Sequence, residues 1–128
     1  MILKKVLSFE FGEIELFDNY LITTMRQGIT VIPRYNQELV ALANTHFEGR
    51  PFAYITHRKN SYAVDPSIYY KTSKIENLAA FAVVSTKPID QKVVAVEKIF
   101  LDKPFQLFTE MEEAISWVLS VIETRKQE

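Results

Sequence analysis

The chain has no cysteine. This removes disulfides, thiolate-bound metals, iron–sulfur clusters and a cysteine nucleophile together, and it fits a reducing compartment, so a cytoplasmic location is expected. Glycine is scarce as well: Gly12, Gly28 and Gly49 are the only three, and they stand far apart. No glycine-rich loop can form around a phosphate, which excludes the standard nucleotide-binding motifs. Neither sign of charge is in surplus, with 15 Lys plus Arg against 16 Asp plus Glu. A dedicated nucleic-acid binder carries a basic excess, so no nucleic-acid partner is expected. Long apolar runs are missing too. The longest, Leu78 to Val84, is far below the roughly 20 residues of a membrane-spanning helix. Ser8 and Glu10 interrupt the N-terminal apolar residues before a signal-peptide core can form, so a soluble protein is expected. The two histidines, His46 and His57, lie apart without clustered carboxylates, so no metal and no other cofactor is expected.

What remains is a chain of 128 residues, 48% of them hydrophobic. That is enough for one domain, 1–128, burying roughly two thirds of its unfolded surface. Residues 124–128 read as a frayed tail. Lys5 to Phe11 alternates, with Leu7, Phe9 and Phe11 on one face, and suits an edge strand. Ile14–Phe17 and Tyr20–Met25 flank Asp18-Asn19, two residues that tolerate positive φ, and predict a tight hairpin. A helix is expected from near Asn36 through Leu39, Leu42, Ala43, His46 and Phe47, ended by Gly49 and Pro51. Phe52 to Thr56 and Ala79 to Val84 are almost wholly apolar, as strands covered on both faces are.

Between those strands Asp65 is placed to cap a helix starting at Pro66 and carrying Ile68, Tyr69 and the segment toward Ile75. Residues 88–101 leave two readings. Val93, Val94, Val96 and Ile99 are β-branched, but the spacing of Ile89, Val93, Val96 and Phe100, with Pro88 at the start, predicts a helix. A short strand at Phe105 to Phe108 precedes a last helix, where Thr109 and Glu112 match the S/T-x-x-E capping box and Met111, Ala114, Ile115, Val118 and Ile122 form an apolar stripe. Together these elements predict an α/β fold. Its sheet is four- to five-stranded and mostly parallel, with an antiparallel N-terminal hairpin and helices packed on it.

That order resembles the SpoIIAA-like fold of STAS domains and of small bacterial proteins of unassigned role. The likeness is carried by the hairpin Ile14 to Met25 followed by Gly28, the strand Phe52 to Thr56, the run Ala79-Ala80-Phe81-Ala82-Val83-Val84 and the ending Phe105 to Trp117. Within that ending, Phe108 to Trp117 is similar to the F-x-x-x-x-x-A-x-x-W close of a CRAL-TRIO-related bacterial group. The resemblance implies a non-enzymatic, STAS-like regulatory or protein-interaction module with a protein partner, a second copy of the chain included. STAS regulators carry an Asp-Ser-Ser-Gly-Leu-like turn with a phosphorylatable serine before the second helix. Here the stretch is Lys59-Asn60-Ser61-Tyr62-Ala63-Val64-Asp65-Pro66-Ser67, without that motif, so neither Ser61 nor Ser67 inherits the role.

The polar stretch His57 to Tyr62 closes a central strand, where open α/β sheets bind ligands, and is the first candidate site. His57, Arg58, Lys59, Ser61 and Tyr62, with Arg34 and Lys87, are its candidate ligand- or partner-binding residues. A small anionic or lipid-like ligand is the alternative occupant. Arg58 would clamp its anion in bidentate fashion beside the Asp65-capped helix start, where Arg58 and Ser61 are expected to stand exposed. A weaker alternative is hydrolase-type chemistry, with a His57–Asp65 pair activating Ser61 or Tyr62; no nucleophile elbow or oxyanion signature accompanies it. Tyr54, Tyr62, Tyr69 and Tyr70 are expected to pack in the core with their hydroxyls at the surface. Trp117 covers a sheet edge or meets a partner.

Overall fold

The computed structural model describes residues 2–126. The N-terminal alternation produces three consecutive antiparallel strands, β1 (Lys5–Phe9), β2 (Gly12–Leu16) and β3 (Tyr20–Met25). Around Asp18 and Asn19 the hairpin closes as predicted, with the Phe17 N–H donating to the Tyr20 carbonyl at 2.9 Å. There follow β4 (Thr30–Val31), α1 (Asn36–Thr45), β5 (Phe52–His57), β6 (Ala63–Val64), α2 (Ile68–Thr72), β7 (Leu78–Val84), α3 (Ile89–Phe100), β8 (Phe105–Phe108) and α4 (Met111–Lys126).

The main sheet has the order β1-β2-β3-β5-β7-β8, antiparallel up to β3 and parallel from there. It has six strands, not four to five, because β1 pairs with β2 along its whole length and β8 adds a parallel edge. The strand–helix–strand crossovers place α1, α2 and α3 on one face. There Leu39, Leu42, Ile68, Tyr69 and Val94 meet Leu21, Phe52, Tyr54, Phe81 and Val83. The other face is held by α4 alone, whose Ala114, Val118 and Ile122 lie on Ile22, Ala53, Ile55, Ala80 and Ala82. Alanines at the strand positions let this helix lie close to the sheet.

Residues 89–100 are helical, which settles the choice left by their β-branched content. Of the segment 124–128 expected to fray, helix α4 takes in Thr124, Arg125 and Lys126, and Gln127 and Glu128 lie outside the described residues. Arg125 anchors this end by donating to the Leu78 carbonyl at 3.0 Å. The helix starts at Met111, so Glu110 flanks it, and no hydrogen bond joins Thr109 to Glu112 among the described residues. Trp117 packs on Phe108, ring centroids 5.6 Å apart, and so covers the β8 edge.

At the β1–β2 turn Gly12 adopts φ +147°, and a Cβ placed there would lie 2.2 Å from the Thr24 carbonyl oxygen. Backbone occupies the space that any side chain needs. Gly12→Ala is therefore expected to destabilise the fold by about 2 kcal/mol or more in denaturant unfolding. An unchanged midpoint would contradict this placement of the turn.

Candidate functional site

Strand alternation fixes which way the polar stretch after β5 faces. The Arg58 N–H extends the parallel ladder by donating to the Val84 carbonyl at 2.9 Å, so the Arg58 side chain falls on the face of Tyr54 and Thr56. His57 therefore projects to the opposite, α4 face. The backbone next turns back and is stapled to the β3–α1 connection. Asn60 Nδ2 donates to the Met25 carbonyl at 2.8 Å, the Ser61 N–H to Gln27 Oε1 at 2.8 Å, and the Gly28 N–H to the Ser61 carbonyl at 2.8 Å. Strands β4 and β6 complete the clasp as a short parallel ribbon.

Arg58 is the centre of the site, but it is not exposed: its relative accessibility is 6%. Its Nη2 lies 2.7 Å from both carboxylate oxygens of Glu97, a residue of α3 that is itself only 4% exposed. The Tyr69 hydroxyl, from α2, donates to Glu97 Oε2. Tyr62 sets its ring 5.8 Å from the guanidinium and shares a hydrogen bond of 3.1 Å with Thr56 Oγ1. Burial opposes charge on Arg58, yet Tyr62 and Glu97 more than offset it and raise its pKa above the usual guanidinium range. Burial raises the Tyr69 phenol well above its ordinary value, and the Glu97 carboxylate adds to the shift. Both tyrosines stay protonated and Arg58 stays charged. Among the described residues, Arg58 Nε is buried without a hydrogen-bond partner, while Glu97 Oε1 is held by the ion contact with Nη2 at 2.7 Å.

Above this pair runs a groove of ≈ 490 Å³. Arg58, Tyr62, Tyr69 and Glu97 form its floor, residues 60–64 and Pro66 one wall, and Ile89, Val93 and Val96 of α3 the other, with Lys87 beside them. Beneath Tyr62 a narrow slot of ≈ 50 Å³ continues between α1 and the sheet, lined by Tyr54, Thr56, Thr23, Asn36 and Thr72 among apolar neighbours. Polar groups along it pair with one another: the Thr23 hydroxyl donates to the Tyr54 hydroxyl at 3.0 Å, and the Thr72 hydroxyl to Asn36 Oδ1 at 2.9 Å.

The predicted site residues divide accordingly. Arg58, Ser61, Tyr62 and Lys87 meet at the groove, and Ser61 is exposed as expected. Arg34 does not converge with them: it pairs with Glu10 at 2.8 Å in a separate surface depression. Lys59 is exposed and outside the groove, and His57 faces the other side of the sheet. No hydrogen bond joins His57 to Asp65 or Ser61 among the described residues. Asp65 Oδ1 instead accepts the Ser67 N–H at 3.0 Å and the Ser67 hydroxyl at 2.8 Å. It caps the turn into α2, whose helical residues begin at Ile68 and end at Thr72. The hydroxyls of Tyr54 and Tyr69 are buried and bonded rather than at the surface, while Tyr70 is exposed.

Two groups escaped the sequence reading. Glu97 is the partner of Arg58, and Asp90 is buried one helix turn past Thr86, accepting the Ser85 hydroxyl at 2.5 Å. Their seven-residue spacing puts both on one face of α3, a polar repeat that was the available signal. No group of three or more potential metal ligands occurs among the described residues, and no helix there is long and apolar enough to cross a membrane.

The sequence matches no family model and no curated protein. The structure is similar to that of an uncharacterized protein of the DUF3478 family with a SpoIIAA-like fold from Shewanella loihica PV-4. The TM-score is 0.54 at 10% sequence identity, covering 89% of this chain and 90% of that one. The chain has the SpoIIAA-like fold.

Removing one member of the buried pair strands the other. Arg58→Met is expected to cost about 3–5 kcal/mol in denaturant unfolding, and Glu97→Leu in the same chain to recover most of it. Additive losses would mean that the two charges do not interact. Burial lowers the His57 pKa, with Lys59 adding to the effect. The unfolded chain then binds the proton more readily, so His57 contributes stability that is present above its unfolded pKa of about 6.5 and lost as pH falls below it. His57→Gln is expected to flatten that decline between about pH 7.5 and pH 5.5; parallel curves for the two proteins would refute it.

Proposed function

We propose that this chain is a non-enzymatic, STAS-like regulatory module that acts through protein contact, with the α3 groove as its docking face. The observation that carries this reading is that α3 is turned inside out. Its buried residues are Asp90, Val94 and Glu97, while Ile89, Val93, Val96 and Ile99 are 61%, 38%, 51% and 79% exposed. Single exposed apolar residues are ordinary. A helix that buries its carboxylates and lines a groove with its aliphatic side chains is not, and such patches mark interaction surfaces. The fold supports the STAS-like reading by analogy only. His57, facing away from Arg58, Ser61 and the groove, counts against a hydrolytic site.

A second reading, a small anionic or lipid-like ligand in the same groove, draws on Arg58 and Lys87 beside the apolar wall. Neutralisation of Arg58 by Glu97 weighs against an anion.

The test is Val93→Asp with Val96→Asp in the full chain. The double variant is expected to keep its unfolding midpoint within about 1 kcal/mol, since little apolar burial is lost. The native chain is expected to enhance Nile red fluorescence, and the double variant to lose that enhancement together with any partner that the native chain retains in affinity capture from its own cells. A partner held equally by both proteins overturns the reading.

A further inference from the structure

The main sheet ends differently at its two sides. Trp117, packed on Phe108, covers the β8 edge, whereas β1 ends the other side with Val6 and Ser8 exposed, Val6 to 46%. Strand alternation decides which backbone groups face outward there. The Phe17 N–H bonds the Tyr20 carbonyl and the Arg26 N–H the Phe11 carbonyl, so Glu13 and Glu15 carry the ladder to β3, while Gly12, Ile14 and Leu16 turn theirs to β1. Their partners in β1 are Phe9, Leu7 and Lys5. The N–H and C=O groups of Val6 and Ser8 therefore point away from the sheet. We infer that this chain forms a two-fold symmetric dimer in which β1 pairs antiparallel with β1 of a second copy, Leu7 opposite Leu7, so that the two sheets run on as one.

A second copy is the occupant because the edge is complementary to itself. Hydrogen bonding fixes the register. With Leu7 on the axis, each Val6 lies opposite Ser8 of the second copy and the two exchange both bonds, which uses every outward group of the strand. An axis at Val6 or at Ser8 would need Lys4 or Glu10 as a partner, but the Lys4 N–H is taken by the Leu16 carbonyl at 2.8 Å and Glu10 lies in the β1–β2 turn. Charge fixes the direction. The edge is basic where it begins, at Lys4 and Lys5, and acidic where it ends, at Glu10. An antiparallel copy brings Lys4 opposite Glu10, whereas a parallel one sets lysine beside lysine. Both groups already have partners, Lys4 in Asp18 at 3.5 Å and Glu10 in Arg34 at 2.8 Å, but all four side chains are exposed and such pairs hold them loosely. Packing agrees with both. Leu7 is half-buried on the face of the main core, and the axis gives it a matching leucine at the closer, non-hydrogen-bonded kind of pair. No residue of β1 lines the α3 groove, so the dimer goes beyond the docking reading and stands or falls apart from it.

Sedimentation equilibrium of the native full chain at about 100 μM is expected to show a dimer. Ser8→Pro deletes an outward N–H at an edge position that tolerates proline, and is expected to weaken the dimer at least about tenfold. Cysteine reads the register, because the native chain has none. Leu7→Cys is expected to form a covalent dimer under oxidised glutathione, since facing residues at such a pair lie about 4.5 Å apart at Cα, within the span of a disulfide. Val6→Cys sits diagonally from its symmetry mate and is expected to cross-link at least about tenfold more slowly. A native chain that is monomeric at that concentration overturns the dimer. A dimer that folded Ser8→Pro leaves intact, or one in which Val6→Cys cross-links as fast as Leu7→Cys, overturns the β1 pairing. The native sedimentation and the cysteine comparison decide the matter whether or not the proline variant folds.

Discussion

Two opposite charges removed from water, Arg58 and Glu97, fix the geometry on which the rest of the helical face depends. Arg58 is presented by the end of the central strand β5, Glu97 by α3, and Tyr69 brings α2 to the same carboxylate. Three elements distant in sequence thus meet at one ion pair. Such a pair contributes little net stability compared with a well-packed apolar substitute, because desolvation takes back most of the Coulomb attraction. What it supplies is direction. A carboxylate in hydrocarbon-like surroundings has one acceptable position, whereas an aliphatic side chain has many. Helix α3 is anchored by Glu97 and by Asp90 on Ser85, with Val94 as its one buried apolar residue, and this frees its other aliphatic residues from the core.

The parts of the fold governed by local chemistry were legible in the sequence. The Asp18-Asn19 hairpin, the uninterrupted apolar strands β5 and β7, the start of α1 at Asn36 and the helix after Phe108 all follow from turn residues, burial runs and periodicity. The two-residue ribbon of β4 and β6 was not legible, because two residues carry no period. All six strands of the main sheet were read singly, Lys5–Phe9 and Phe105–Phe108 included, but the sequence does not show that both edge strands pair into the same sheet.

The candidate site was read from the sequence as an exposed anion clamp, whereas Arg58 is buried against Glu97. Position after a central strand brought Arg58, Ser61 and Tyr62 together in the reading, and they do line one groove, but nothing near Arg58 in sequence announces that a carboxylate 39 residues later neutralises it. Helix α3 itself was identified from the spacing of Ile89, Val93, Val96 and Phe100. That period reports a helix faithfully and says nothing of which side the protein buries. The usual inference from an apolar stripe to an inward face fails here, and it fails at the groove, where local and global preferences disagree. Arg34 and His57 were grouped with the site by charge and proximity in sequence, and the alternation of β5 and the salt bridge to Glu10 separate them from it.

The asymmetry of the two sheet faces has a consequence for how the chain acquires its structure. One face receives its helices in turn, each crossover delivering a cover as its strand is added. The other waits for a single segment, Met111–Lys126, and until that segment arrives a broad surface of Tyr20, Ile22, Ile55 and the alanines of β5 and β7 lies bare. During vectorial synthesis residues 111–126 leave the ribosome after all six strands of the sheet they cover. Between the emergence of β8 and the docking of α4, that apolar face has no cover from its own chain.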